Sequence, residues 1–284
     1  MPATIPFGIS EFTTWPWPFE RDIDRYPVHA AAIEICEFKL DRNDYAPQLA
    51  RIAPAGLAVS SVQSTVHSIF PDSLAPQPAA PEDRIRHIQS AIERIAPHVP
   101  ADTPFVLITG AAPGGDTARV YDRCLKAFDE VATFARKHGV RIAFEPLNPV
   151  LFNTDTALWG LESARELVER VGNPSLGLCV DTWNIFETPA LEAAIARCGD
   201  RIFIVQVSQW QRPRSGADRR NLGDGVIDDA AILRAVRKTG YRGYYALEIF
   251  SGESLPGSLW RGDIDATLAK NAAAFAALWE ASSP

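Results

Sequence analysis

Short apolar runs alternate with longer amphipathic stretches along the whole chain. Residues 7–12, 31–38, 58–65, 103–109, 141–147, 176–181, 202–208 and 244–249 are strand-length runs rich in β-branched and aromatic side chains. Between them, residues 19–26, 44–53, 82–98, 117–137, 156–171, 189–197, 229–239 and 263–281 read as helices. In the third of these, Ile85, Ile92 and Ile95 recur on one helical face. Asp116 is placed to cap the fourth, which runs to Lys137 before Gly139 stops it. Each strand is apolar enough to be covered on both faces, which is the signature of a parallel sheet. Eight strands alternating with helices predict an α/β fold, a single (β/α)8 TIM barrel over residues 1–284. A doubly wound open sheet is the rival. Against it, no GxGxxG follows the first strand, and polar residues recur at strand ends along the whole chain. No linker, low-complexity segment or shift in composition marks a domain boundary.

Those strand ends carry the candidate chemistry. The run Ile142-Ala143-Phe144 ends on Glu145, and Pro146 and Pro149 stop regular pairing there. The next three strands end on Asp181, Gln206 and Glu248. In a barrel the C-termini of all strands meet at one mouth, whereas in an open sheet they spread along an edge. Three carboxylates and an amide oxygen form a hard shell that suits Mg²⁺, Mn²⁺ or Co²⁺ better than a structural zinc. One such ion is a Lewis acid that polarises a carbonyl and stabilises the enediolate left by loss of a neighbouring proton. A carboxylate on each side of the substrate can take and return that proton. The plainer alternative is that each acid caps a helix or pairs with a basic residue. For four residues at matching strand ends it is the weaker account, because clustered carboxylates repel and need a cation.

Other residues compete with plain packing. His67 follows the third strand and can face the mouth, or it is a satisfied loop histidine. Trp15 and Trp17, set between prolines in one loop, suit a lid, and with Trp183 and Trp210 they could wall a pocket. For Glu11 and Glu34 a barrel-interior salt bridge to Lys39 or an arginine is the plain account. Gly114-Gly115 is too short to support a phosphate-binding turn.

The 284 residues suit one large barrel, which typically takes ~250. A formal net charge of −7 argues against a nucleic-acid partner. Cys36, Cys124, Cys179 and Cys198 form no CxxC pair, and Cys36 and Cys179 sit in apolar runs, as expected in a reducing compartment. With neither a basic leader nor a membrane-length apolar run, a cytoplasmic protein without a membrane partner is expected. A small-molecule partner is expected, and the sequence is compatible with a homo-oligomer.

The motifs Phe144-Glu-Pro-Leu-Asn-Pro149, Gly177-Leu-Cys-Val-Asp-Thr-Trp183, Val205-Gln-Val-Ser208 with Gly223-Asp-Gly225 behind it, and Leu247-Glu-Ile249 occur in that order. Together they resemble the xylose isomerase-like barrel superfamily of sugar phosphate isomerases and epimerases, ketose 3-epimerases, inosose isomerases and dehydratases, and 3-dehydroshikimate dehydratases. The resemblance covers strands five to eight, and the first half only in its rhythm. It implies that Glu145, Asp181, Gln206 and Glu248 hold one divalent metal and that Glu145 and Glu248 double as the acid/base pair. It implies an isomerase or epimerase of a ketose or keto-polyol, or alternatively a dehydratase of a keto-cyclitol or 3-dehydroshikimate-like substrate. Two positions depart from the epimerase pattern. Gln206 stands where a histidine is usual and looks more like the dehydratases. Asn184 stands where a substrate-binding histidine is frequent, and it can bond a hydroxyl but cannot shuttle a proton near neutral pH. Arg212 matches a position that often binds substrate oxygens; the alternative is a solvated charge among Arg214, Arg219 and Arg220. Substrate contacts are thus expected at His67, Asn184, Arg212, Trp15 and Trp183. An endonuclease-like barrel is excluded, since it needs a histidine-rich site and a basic face, and the chain has five histidines and an acidic balance. A non-catalytic binding barrel is disfavoured because all four ligand positions are kept.

Overall fold

The computed structural model describes residues 5–41, 43, 45–212 and 216–283. Its strands are β1 (Phe7–Ser10), β2 (Ala32–Cys36), β3 (Ala58–Ser68), β4 (Pro104–Ile108), β5 (Arg141–Phe144), β6 (Leu176–Asp181), β7 (Ile202–Val207) and β8 (Tyr245–Leu247). Each pairs in parallel with its sequence neighbour, and β8 pairs in parallel with β1, so the sheet closes into the expected eight-stranded barrel. Thr13 clasps the seam beside the closing pair: its hydroxyl donates to Leu247 O at 2.8 Å and accepts from Ile249 N at 3.0 Å.

The surrounding helices are α1 (Phe19–Arg25), α2 (Tyr45–Leu49), α3 (Pro81–Ile95), α4 (Thr117–Lys137), α5 (Leu161–Val171), α6 (Thr182–Ile185), α7 (Leu191–Cys198), α8 (Asp229–Lys238) and α9 (Ile264–Ala281). Aspartates open four of them. Asp116, Asp181, Asp228 and Asp263 each accept an N–H from the first turn of α4, α6, α8 and α9. Asp44, where the second helix was expected to begin, and Arg214 lie outside the described residues. No helix among the described residues is long and apolar enough to cross a membrane. All four cysteines are free and buried.

Three boundaries differ from the sequence reading in ways that shape the mouth. β3 runs on to Ser68, so His67 belongs to a strand rather than a loop. α5 begins at Leu161, not at 156, because Thr156 is engaged locally: its hydroxyl donates to Leu158 O at 2.6 Å and accepts from Leu158 N at 3.1 Å. The one-turn α6 was not expected at all, and it forms where the Asp181 carboxylate takes the Trp183 N–H at 3.0 Å.

Strand alternation decides which side chains face the barrel interior. Val106, Ala143, Cys179 and Ile204 form a small buried cluster apart from the main sheet-to-helix core. Two residues further on, along the same faces, come Glu145, Asp181 and Gln206. Gly177 lets β6 and β7 approach closely, because a Cβ there would sit 2.5 Å from Arg201 O and 2.6 Å from the Phe203 ring.

The loop after β3 is held by Arg84 of α3, which is fully buried. Its guanidinium donates to Ser68 O and Ala75 O at 2.8 Å, to Pro78 O at 3.0 Å and to Asp72 Oδ2 at 3.2 Å, and also to the Ser68 hydroxyl.

A second buried group carries a pH signature. Asp229, the first residue of α8, accepts at Oδ2 from Gln209 Nε2 at 2.6 Å, while its Oδ1 has no partner among the described residues. Burial pushes its carboxyl from 3.8 up to about 7, against the lowering effect of Gln209. The native state therefore keeps this proton after the unfolded chain has released it. The stability it contributes is fully present below about pH 4 and is lost as pH rises through 7. Asp229→Asn should flatten that part of the thermal-midpoint profile between pH 5 and 8 and raise the midpoint at pH 8. A profile parallel to that of the unsubstituted protein would show that Asp229 ionises freely.

Candidate active site at the C-terminal mouth

Glu145 continues the β5 ladder, its N–H donating to Leu107 O at 2.9 Å, and Glu248 continues β8 by donating to Val207 O at 3.1 Å. With Asp181 at the end of β6 they bring three buried carboxylates together, each offering an oxygen within 4.8 Å of the others. Asn184, carried by α6, donates through Nδ2 to Glu145 Oε1 at 2.7 Å and to Asp181 Oδ2 at 2.8 Å. Arg219 bonds the other side of the cluster, with Nη1 2.8 Å from Asp181 Oδ2 and 2.9 Å from Glu248 Oε2. Its guanidinium lies 4.9 Å from the centre of the Trp183 ring.

A fourth carboxylate lies deeper in the barrel. Glu34 of β2 accepts from Ser61 Oγ at 2.6 Å, from Gln63 Nε2 at 3.3 Å and from Gln206 Nε2 at 3.0 and 3.1 Å. Among the described residues Glu34 makes no salt bridge to Lys39 or to an arginine, and Lys39 pairs with Asp22 at 2.6 Å. The same Gln206 nitrogen donates to Glu248 Oε1 at 3.0 Å, while Gln206 Oε1 accepts from Cys179 Sγ at 2.9 Å. Gln206 thus meets the carboxylates through nitrogen, and its oxygen joins them only if the amide turns over.

Burial, then the charges of Glu248 and Asp181, push the Glu145 carboxyl well above its usual range. Burial does the same to Glu248, with Arg219 opposing it and Glu34 and Asp181 adding to it. Burial weakens the hold of Arg219 on its proton, but the surrounding carboxylates outweigh that and raise it. One guanidinium cannot neutralise four buried carboxylates, so without a further cation some of them must hold protons instead of charge. The donor set therefore fits a hard divalent cation, held by Glu145, Asp181 and Glu248.

Above the cluster opens a cavity of about 570 Å³, lined by Glu145, Glu248, Arg219, Gln63 and His67 among others. His67 is 6% exposed; its Nε2 lies 3.8 Å from Asp72 Oδ1, and its Nδ1 has no partner among the described residues. Asn184 stands behind Glu145 in the hydrogen-bond network and does not line the cavity. Arg212 is exposed and away from the lining, and Arg219, which the sequence reading placed among solvated loop charges, is the arginine at the carboxylates. Trp183 is fully buried behind it. Trp15 is 38% exposed and stacks on Phe12, with ring centres 5.6 Å apart. Trp17 is no lid: it is buried in the main core under the guanidinium of Arg21, 4.1 Å from its ring centre. Glu34 had one signal in the sequence, a lone carboxylate inside the apolar run Ala32–Cys36, whereas Gln63, in a strand full of polar residues, had none. The choice of Arg219 over Arg212 had none.

The model of the xylose isomerase-like TIM barrel family matches residues 30–275. Two proteins named 3-dehydroshikimate dehydratase are similar in sequence. The one from Pseudomonas putida is 32% identical over 129 residues, covering 41% of this chain and 19% of that protein. The one from Pseudomonas aeruginosa is 30% identical over 133 residues, covering 43% of this chain and 20% of that protein. The matches thus span about a fifth of these relatives' length. Among solved structures, a protein from Sinorhizobium meliloti 1021 superposes with a TM-score of 0.84 at 23% identity, covering 96% of this chain and 98% of that one. An L-ribulose 3-epimerase gives 0.80 at 22% identity, with coverages of 98% and 95%. The IolI protein with a bound zinc atom gives 0.77 at 17% identity, with coverages of 96% and 98%. At these identities the structural likeness speaks for the fold.

Proposed function

Because the chain belongs to the xylose isomerase-like TIM barrel family, we propose that it is a divalent-metal-dependent isomerase or epimerase of a ketose or keto-polyol. The observation that carries this reading is that Glu145 and Glu248 both face one cavity while sharing a tight carboxylate cluster with Asp181. Mn²⁺, Mg²⁺ or Co²⁺ held by these three, with Gln206 alongside once its amide turns, supplies Lewis acidity toward a substrate carbonyl.

The rest falls to the chain's own residues. Glu145 and Glu248 lie at the ends of β5 and β8, so they reach a bound substrate from different sides of the ring. One takes the proton from the carbon beside the carbonyl. The other returns a proton to the opposite face of that carbon, which epimerises it, or to its neighbour, which exchanges aldose and ketose. Asn184 fixes Glu145 through Oε1. Arg219 offsets the negative charge on Glu248, so that its carboxyl can release the proton it has gained.

The similarity to 3-dehydroshikimate dehydratases and the presence of Gln206 favour a second reading. In it the same proton is removed and a hydroxyl β to the carbonyl leaves as water, protonated by His67 from the cavity wall. A panel of ketoses, keto-cyclitols and 3-dehydroshikimate followed by NMR in deuterated water separates the two. Deuterium gain with a new diastereomer or aldose supports the isomerase or epimerase, and loss of water to a new enone, or to an aromatic ring from 3-dehydroshikimate, supports the dehydratase. Turnover that survives a strong chelator would remove the metal from either scheme.

A further inference from the structure

The cavity has two unlike parts. Its floor, at the strand ends, is polar and charged: Glu145, Glu248, Arg219 and Gln63. The wall that rises from it is formed by Phe12, Ile108, Leu147, Leu151 and Phe250. At the rim stand Leu74 and Val150, which are 46% and 50% exposed and are among the few large apolar side chains the described surface leaves open. Leu151 lies against Gly216, where any side chain would collide with it, so the loops after β5 and β7 meet over the cavity.

The two carboxylates of the wall are already engaged. Asp72 takes the N–H groups of Leu74 at 2.9 Å and Ala75 at 2.8 Å, as well as Arg84. Asp155 takes Ser73 N at 2.8 Å and the Thr154 hydroxyl at 3.0 Å, and so ties two loops together. Among the described lining residues, the buried side-chain polar atoms left without a partner are His67 Nδ1 on the wall and Arg219 Nε at the floor.

We propose that the substrate of this site is a conjugate: a carbohydrate- or cyclitol-type carbonyl head whose far end carries an apolar substituent. The inference rests on the reaction proposed above and adds the class of molecule that undergoes it. A free ketose carries a hydroxyl on nearly every carbon. Seated with its carbonyl at the floor, it would turn its distal hydroxyls toward leucine and phenyl side chains. Each hydroxyl stripped of water without a new partner weakens binding by on the order of tenfold. An apolar substituent in the same place covers Leu74, Leu151, Val150 and the two phenyl rings and gains from their removal from water. His67 Nδ1 can serve one oxygen of the head, where head and substituent join.

Calorimetry with D-fructose and 6-O-benzyl-D-fructose, in the presence of Mn²⁺, tests the wall directly. The benzyl ether should bind at least tenfold more tightly, and Leu74→Asp and Val150→Asp should each bring the ratio of the two affinities toward one. Both positions are exposed, so the substitutions leave the core intact, and the thermal midpoint of each variant checks this. Equal affinities, failure of the benzyl ether to bind, or a preference that survives both substitutions would overturn the proposal. Mn²⁺ titrated alone into the same samples tests the metal site separately. Loss of that signal with the benzyl preference intact would refute the proposed chemistry and leave the wall standing.

Discussion

Glu145→Gln and Glu248→Gln should each lower kcat by about 10²–10⁴-fold with metal supplied in excess, the usual contribution of a positioned general base. Glutamine keeps the shape of the side chain and an oxygen for Asn184 or Arg219, but it cannot accept the proton. The two sites are not equivalent. Among the described residues Glu145 receives one side-chain hydrogen bond, from Asn184, whereas Glu248 is held by Gln63 at 2.6 Å, Gln206 at 3.0 Å and Arg219 at 2.9 Å. Glu248→Gln should therefore disturb the cluster more and lose metal as well as turnover. Glu145→Gln should lose turnover first. Metal content measured on the kinetic samples separates the two effects. A variant that keeps its metal and near-normal kcat would mark its residue as a ligand alone, and His67 would be the next base to test.

Arg84→Met should lower stability by about 3–5 kcal/mol, the cost of breaking a buried ion pair from one side. The methionine can fill part of the volume, but the Asp72 carboxylate would stay buried without its guanidinium. The carbonyls of Ser68, Ala75 and Pro78 would lose their donor at the same time. For a domain of this size that corresponds to a fall in thermal midpoint of roughly 10 °C. The loop concerned carries Leu74 and Asp72, so the variant should also lose binding at the cavity. A midpoint within 2 °C of the unsubstituted protein, about what 1 kcal/mol produces, would show that water replaces the guanidinium easily.

The barrel was legible because strand and helix periods are local properties. Runs such as Ile202–Val207 and caps such as Asp116 carry their own instructions, and the observed β6, Leu176–Asp181, coincides with its expected span. The ends of β5, β6, β7 and β8 could be found for the same reason: a polar residue closing an apolar run stands out. What the sequence hid depends on contacts between distant segments. Arg219 and Arg212 are seven positions apart in one polar loop, and nothing local says which of them turns inward. Glu34 sits in the alternation Ile33-Glu34-Ile35-Cys36, which puts it inside the barrel, yet its partners come from β3 and β7. The orientation of the Gln206 amide follows from Glu34 and Cys179 together, and no spacing rule reaches that far. Trp17 shows the opposite failure, a conspicuous residue between prolines that turns out to be core.

The seam between β1 and β8 sets the order in which this molecule can become whole. Phe7 pairs with Tyr245 and Ile9 with Leu247, so the barrel's first strand is completed by its eighth, which is synthesised more than 200 residues later. Until then β1 has β2 on one side and a bare row of backbone donors and acceptors on the other, the kind of edge that recruits foreign strands. The closing contact is also the longest loop in the fold, which makes it slow to form. Nascent chains of this protein should therefore pass through a stage at which most helices have formed and the barrel is still an open, adhesive sheet. Thr13, whose hydroxyl bonds Leu247 and Ile249 across the seam, is the clasp that ends that exposure.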